Sequence, residues 1–303
     1  MRGFIGFTKR NMMMYFKDLG AVFFSMLTSI IVFALYQLFL KGTFYDSISG
    51  AMEGLDNLVL KADLDTLING VLLTGIMGSA LITVPFNCLN TIVKDKEHRV
   101  DYDISATPLK RWQIILSYFT ASSLSSIIMV AVILTIGLIA LTTMGDTYIT
   151  AKYVALLYGI VVVGAISSTA FFMVIMIFFK DTSVSSAFFG ILSAAAGFVI
   201  GAYIPISQFS TTVQTVCNLF PASHITVLIR QFLLSGVVEH IDEGIGGIDG
   251  GAFAESIKNT FSFNAYLFGG TLSNVGSLIY AGALVIVCIG AMTVLYNKTY
   301  KRK

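Results

Sequence analysis

LINGVLLTGIMGSALITVPFNCLN, residues 67–90, runs for twenty-four residues without a charged side chain. About 20 apolar residues in a helix cross the hydrocarbon of a bilayer, so this stretch reads as a membrane span. Five more runs have the same character, at about 20–40, 113–143, 152–179, 184–204 and 273–296. The composition agrees: 56% of the 303 residues are hydrophobic, 12% are charged, and the mean hydropathy is +0.83. A soluble domain carries about 25% charged residues, too many for this chain to imitate. In lipid each backbone amide and carbonyl must be bonded within its own segment, which favours helices. The expected fold is an all-α polytopic membrane protein, one domain over 1–303 with six transmembrane helices. The first apolar run is too long for a cleaved signal peptide and lacks an A-x-A-like site, so it reads as a retained anchor. Cys88, Cys217 and Cys288 lie far apart with no metal-ligand spacing and read as small apolar residues.

The segment that follows the opening stretch is its opposite. KDKEHRVDYDISATPLKRWQII, residues 94–115, holds nine charged residues in twenty-two. Lys94–Ser105 reads as one short charged helix. Thr107 and Pro108 break it, with Thr107 as N-cap and Pro108 at the first position of the next helix. Lysine and arginine collect in cytoplasmic loops. With the N-terminus inside, fourteen of the nineteen fall on the cytoplasmic side and five outside. This orientation puts both termini, and the 94–115 block, in the cytoplasm of a multi-pass protein of the cell membrane. Residues 1–19 read as an interfacial helix. Phe4, Ile5, Met12, Tyr15, Phe16 and Leu19 share one arc, and Arg2, Lys9, Arg10 and Lys17 the next, with Phe7, Met13 and Met14 against the pattern.

Two external loops are expected. Residues 41–66 form an acidic one. The other, at 236–270, contains EHIDEGIGGIDGGAF. Its glycines lack phosphate-binding spacing. Asp242, Glu243 and Asp249 form a candidate calcium set there, the alternative being a flexible acidic loop. No P-loop and no H-E-x-x-H pattern occurs, and His98, His224 and His240 accompany no nucleophile. The spans hold neutral polar groups, Gln37, Asn87 and Asn90, in place of the ionisable residues that carry ion coupling. The energy for any transport would have to arrive from another chain. Ser193, Gly197 and Gly201 recur at four-residue steps, as at close helix contacts.

After the fifth span, GAYIPISQFSTTVQTVCNLFPASHITVLIRQFLLSG, residues 201–236, is apolar but broken by Pro205 and Pro221. It reads as two short external or re-entrant helices, the first starting at Ser210 and the second closing at Gly236 as C-cap. The order Gly201-x-x-x-Pro205, Asn218-x-x-Pro221, Arg230 and Leu234-x-Gly236 resembles the permease subunit of bacterial type-2 ATP-binding-cassette (ABC) exporters. So does the block with Glu97, Thr107-Pro108 and Lys110-Arg111 between spans two and three. Two residues separate Asn218 from Pro221 where the family has N-P-L. Val100-Asp101-Tyr102-Asp103 stands where the family has a glycine.

The resemblance implies a single permease domain that is not itself an enzyme. Two such permeases, identical or siblings, would sit in membrane lipid on cytoplasmic ATPase subunits that bind ATP and Mg2+. It implies a coupling helix at about 94–106 that seats on the ATPase, with Lys96, Glu97, Arg99, Asp101, Asp103, Pro108, Lys110 and Arg111 as coupling residues. It implies a substrate path for a drug, antibiotic, peptide or lipid at the dimer interface. Phe33, Tyr36, Gln37, Met77 and Asn87 are its candidate lining, against ordinary packing. Pro205, Asn218, Pro221 and Arg230 shape the external hairpin. Two other readings are a non-transporting membrane partner of another complex and a secondary transporter.

Overall fold

The computed structural model describes residues 2–51, 60–245 and 251–299. The chain forms α1 (Arg2–Lys17), α2 (Leu19–Leu35), a π-helical turn (Tyr36–Leu40) and α3 (Lys41–Ala51). Next come α4 (Lys61–Glu97), α5 (Val100–Ala106), α6 (Arg111–Met144), α7 (Ala151–Met176) and α8 (Thr182–Val199). A 3-10 turn (Ile206–Gln208) leads to α9 (Thr211–Asn218), α10 (Pro221–Ile245), α11 (Ala252–Thr260), the strands β1 (Ala265–Leu267) and β2 (Gly270–Leu272), and α12 (Asn274–Thr299). Seven helices among the described residues are long and apolar enough to cross a membrane. Six coincide with the expected spans; the seventh is α10.

α4 is the axis. It packs against α2, α6, α7, α8 and α10, and 94% of its apolar window is buried, against 11% for α12, 22% for α8 and 28% for α2. A helix apolar on every side belongs in the middle of a bundle. Hydroxyl groups join it to α2, where Thr83 Oγ1 donates to Ser25 O at 3.0 Å and Tyr36 OH to Ile68 O at 2.7 Å. Such bonds hold helices together where water is absent.

The expected short second helix of the 201–236 segment is a correction. α10 does not stop at Gly236; it runs on to Ile245. Gly236 serves close approach instead, because a Cβ there would overlap the carbonyl oxygen of Tyr148 in the α6–α7 loop. Gly236→Ala is expected to cost about 1–3 kcal/mol by overpacking, read as a lower unfolding midpoint of the purified chain; an unchanged midpoint would show that the loop yields freely.

α8 and α10 share α4 between them. α8 follows its second half, with Ser185 Oγ donating to Asn90 Oδ1 at 2.9 Å. α10 follows its first half, with Leu234 on Gly70 and His240 3.8 Å from Asp63. A Cβ at Gly78 would meet Ile200, just past α8, and Thr226, in the first turns of α10. Ser223 Oγ donates to Val199 O at 2.8 Å. One helix therefore ends where the other begins, beside the middle of α4. Gly201, at φ 70°, makes the exit from α8.

At the far end, α3, α11 and the β1–β2 hairpin form a cap. Phe44 stands edge-on to Tyr36 and to Phe261, at 5.4 and 5.3 Å between ring centres. The expected acidic loop at 41–66 is thus helical over Lys41–Ala51 and again from Lys61; Glu53 and Asp56 lie outside the described residues. The hairpin pairs Leu267 with Gly270 around Phe268 (φ 51°) and Gly269 (φ 80°), the two left-handed positions of a tight turn.

α1 lies against α6. Thr8, Asn11 and Tyr15 are its buried residues. Thr8 Oγ1 is 2.9 Å from Ser117 Oγ, and Phe7 packs edge-on against Tyr118. Ile5 and Leu19 stay 64% and 78% exposed. The inward side thus combines polar residues, Thr8 and Asn11, with Tyr15 of the apolar arc, and Ile5 of that arc faces outward.

Candidate functional site

The charged block after span two is built differently from its reading. Lys94–Glu97 belongs to α4, which continues past its apolar part. It ends where His98 N bonds Lys94 O at 3.0 Å and Arg99 turns to φ 61°, a left-handed position that glycine takes most cheaply. Only Val100–Ala106 forms the separate helix α5. Thr107 does not cap the next helix; its hydroxyl closes α5 on Ile104 O at 2.6 Å. Pro108 lies in the bend, and α6 begins at Arg111, with Lys110 N bonded to Gln113 Oε1 at 2.9 Å.

The last turn of α4 organises its surroundings by placing charge on helix ends. Lys96 Nζ donates to Ile177 O at 2.6 Å and Phe179 O at 3.3 Å, where the carbonyls at the end of α7 lack partners. Glu97 Oε2 accepts from Thr182 N at 3.1 Å, at the start of α8. A cation at one helix C-terminus and an anion at the next N-terminus each suit the local dipole. Asp181 completes the start of α8 by accepting from Val184 N at 2.9 Å. On the other side of α4, Arg10 grips buried Asp95 with two guanidinium nitrogens, and Tyr118 OH donates to the same carboxylate. The carboxylate raises the Arg10 pKa further. Lys94 pairs with Asp18 in the α1–α2 link and holds that carboxyl below its usual range.

These contacts frame a cleft of about 1350 Å³ between α5, the start of α6, the α7–α8 turn and the end of α12. Of the eight expected coupling residues, Lys96, Glu97, Arg99, Asp101, Pro108, Lys110 and Arg111 line it, and Asp103 does not. Arg99 and Lys110 are exposed in the cleft, while Lys96 and Glu97 are held by the α7–α8 turn. Burial raises the Asp101 carboxyl above its ordinary range, against the opposing pull of Lys96. Lys180, Asp181 and Tyr296 also line the cleft and were not expected. Lys180 and Asp181 had a signal, a charged pair between two apolar runs; Tyr296 had none.

The candidate substrate-path residues separate. Tyr36 and Met77 are buried in packing, Asn87 is half-buried, and Phe33 and Gln37 face outward. The π turn carries Tyr36 on its buried side and leaves Leu38 and Phe39 exposed. Of the hairpin residues, Pro205 precedes the 3-10 turn and Pro221 opens α10. Asn218 Nδ2 donates to Tyr266 O at 2.8 Å, tying α9 to β1. Arg230 is 1% exposed and bonds Phe261 O, Ser262 O at 2.9 Å and Thr74 Oγ1 at 3.4 Å. It clamps the cap, through two carbonyls, to α4, through the Thr74 hydroxyl. Arg230→Leu is expected to cost about 3 kcal/mol, since it leaves two buried carbonyls without their charged donor. Limited proteolysis across 252–263 should quicken; a wild-type cleavage rate would count against the clamp. Asp242 and Glu243 sit on the last turns of α10, and Asp249 of the candidate calcium set lies outside the described residues.

No curated protein matches the chain. The family described as ABC-2 family transporter protein matches residues 54–296, from just before α4 to Tyr296 at the edge of the cleft. That match takes in most of the chain, the central helix, the cleft and the α8–α10 junction together, and the chain belongs to the ABC-2 transporter family as a multi-pass membrane permease.

Proposed function

We propose that this permease is the membrane subunit of an ATP-driven exporter of the cell membrane, carrying a hydrophobic or amphipathic substrate outward. Family membership implies association with ABC ATPase components. The single observation that carries the docking site is the cleft, which gathers seven expected coupling residues at one end of the bundle. ATP and Mg2+ would be bound by the ATPase, and a second permease, identical or sibling, would complete the dimer. The exposed faces of α2 and α8 are the surfaces offered to it.

In this reading six crossings are made by α2, α4, α6, α7, α8 continued by α10, and α12. The segment between α8 and α10 forms the re-entrant excursion. Its entry at Gly201, Ala202, Pro205 and Ile206 is buried in protein, while residues 211–213 of α9 are exposed and would face water or the second permease, where broken backbone is tolerated. Both termini and the cleft then face the cytoplasm, as the lysine and arginine distribution demands.

The test is co-purification of the full chain with an ATPase whose turnover depends on it. A chain that captures no ATPase, in a membrane where its cargo still moves, would overturn this reading.

A further inference from the structure

At the end of the bundle opposite the cleft lies a second cavity, of about 340 Å³. The starts of α7 and α12, the later turns of α10, the end of α11 and the turn before β1 enclose it. Its volume is at the small end of ordinary ligand pockets. Glu239 and Lys258 both line it and both are exposed. Among the described residues neither has an opposite charge within 4.0 Å, so they are not paired with each other. Around them stand neutral donors: the amides of Asn264 and Asn274, the phenol of Tyr153, and the hydroxyl of Ser235. The Ser235 oxygen is buried and has no partner. Phe232 supplies an apolar wall, its ring 6.0 Å from that of Tyr153.

An unpaired carboxylate and an unpaired ammonium facing one cavity complement a zwitterion. The surplus of donors over the single carboxylate suits an anion with more than two oxygens. The aromatic wall can take the flank of a cation. α7 and α12 both begin here, so in a spanning bundle the cavity lies at the level of lipid headgroups. We propose that this cavity binds a phosphoethanolamine group, with its ammonium on Glu239 and its phosphate on Lys258 and the neighbouring amides. The source is either the headgroup of an ethanolamine phospholipid or free phosphoethanolamine. The inference rests on the membrane crossing and not on the ATPase partner or the cargo.

The full chain, purified in detergent and stripped of lipid, is melted with phosphatidylethanolamine, with phosphatidylglycerol, and with soluble phosphoethanolamine. Phosphatidylethanolamine should raise the midpoint and phosphatidylglycerol should not. Glu239→Gln and Lys258→Met should each raise the half-saturating concentration at least tenfold, and Lys258→Arg should retain the response. A shift with soluble phosphoethanolamine as well assigns binding to the headgroup alone. A shift with the lipid only assigns the site to membrane lipid. Equal midpoints with both lipids and no shift with phosphoethanolamine, or variants that respond like wild type, would overturn the site. Both side chains are exposed, and should either charge-removing variant misfold, Asn264→Ala and Asn274→Ala, which remove the amides placed on the phosphate, provide the same comparison.

Discussion

Asp95→Ala should lower the stability of the bundle by about 3 kcal/mol, more than any surface substitution near it. The carboxylate is 2% exposed and accepts from two nitrogens of Arg10 and from Tyr118 OH. Removing one partner of a buried ion pair typically costs about 3–5 kcal/mol, because the other is left uncompensated. The low end applies here, since a third of the Arg10 side chain reaches water. Arg10→Met combined with Asp95→Leu should recover at least half of the loss, because no charge is then stranded. Denaturant titration of the purified chain reads both. A single variant that unfolds at the wild-type midpoint would show that α1 is held by its hydroxyl and aromatic contacts alone. α1 should also detach first in the single variant, seen as faster proteolysis before Leu19.

Arg99→Glu combined with Lys110→Glu should leave the chain folded and inserted while transport per ATP falls at least tenfold, equivalent to about 1.4 kcal/mol of lost coupling. Both side chains line the cleft and are exposed. They make a sharper test than Lys96 and Glu97, whose replacement would also release the ends of α7 and α8. Exposed charges steer partner choice and encounter more than they stabilise a fold. ATPase turnover and cargo flux, measured together in reconstituted vesicles, separate uncoupling from loss of assembly. Wild-type flux per ATP would remove these two residues from the coupling surface.

The spans were legible in the sequence because each is an apolar run, charged at most at its edge as at Lys152, and longer than a soluble core needs. Their ends were not. Lys94–Glu97 reads as a separate element because it is charged, yet its backbone continues α4 without a break. Arg99 carries no mark of the left-handed turn it makes. Gly236 is the clearest ambiguity: a glycine that ends a helix and one that admits a neighbouring backbone look identical in one dimension. Tyr148, which decides between them, lies 88 residues earlier. The cleft was legible in outline, since six of its charged residues fall between Lys96 and Arg111, while Lys180 and Asp181 come from the α7–α8 turn. Its supports were hidden, because Arg10 and Asp95 are 85 residues apart. In the substrate-path set, Phe33 and Gln37 are exposed while Tyr36 is buried on the Ile68 carbonyl, a partner 32 residues away that the local sequence does not announce.

The junction of α8 and α10 has a mechanical consequence. α8 and α10 are not one continuous column, because the ladder of α8 ends at Ile200 and that of α10 begins at Pro221, with the 3-10 turn and the separate helix α9 between them. α4, by contrast, stays helical for 37 residues, about 55 Å, with one backbone hydrogen bond missing at Pro85. Load applied at its charged end travels along this single mast. It passes sideways at Gly78 and Thr74 into Thr226 and Arg230, and from Arg230 into the cap. The bundle thus sets one long helix beside a divided one, so that the two ends of α4 rest on different partners, α8 at one and α10 at the other.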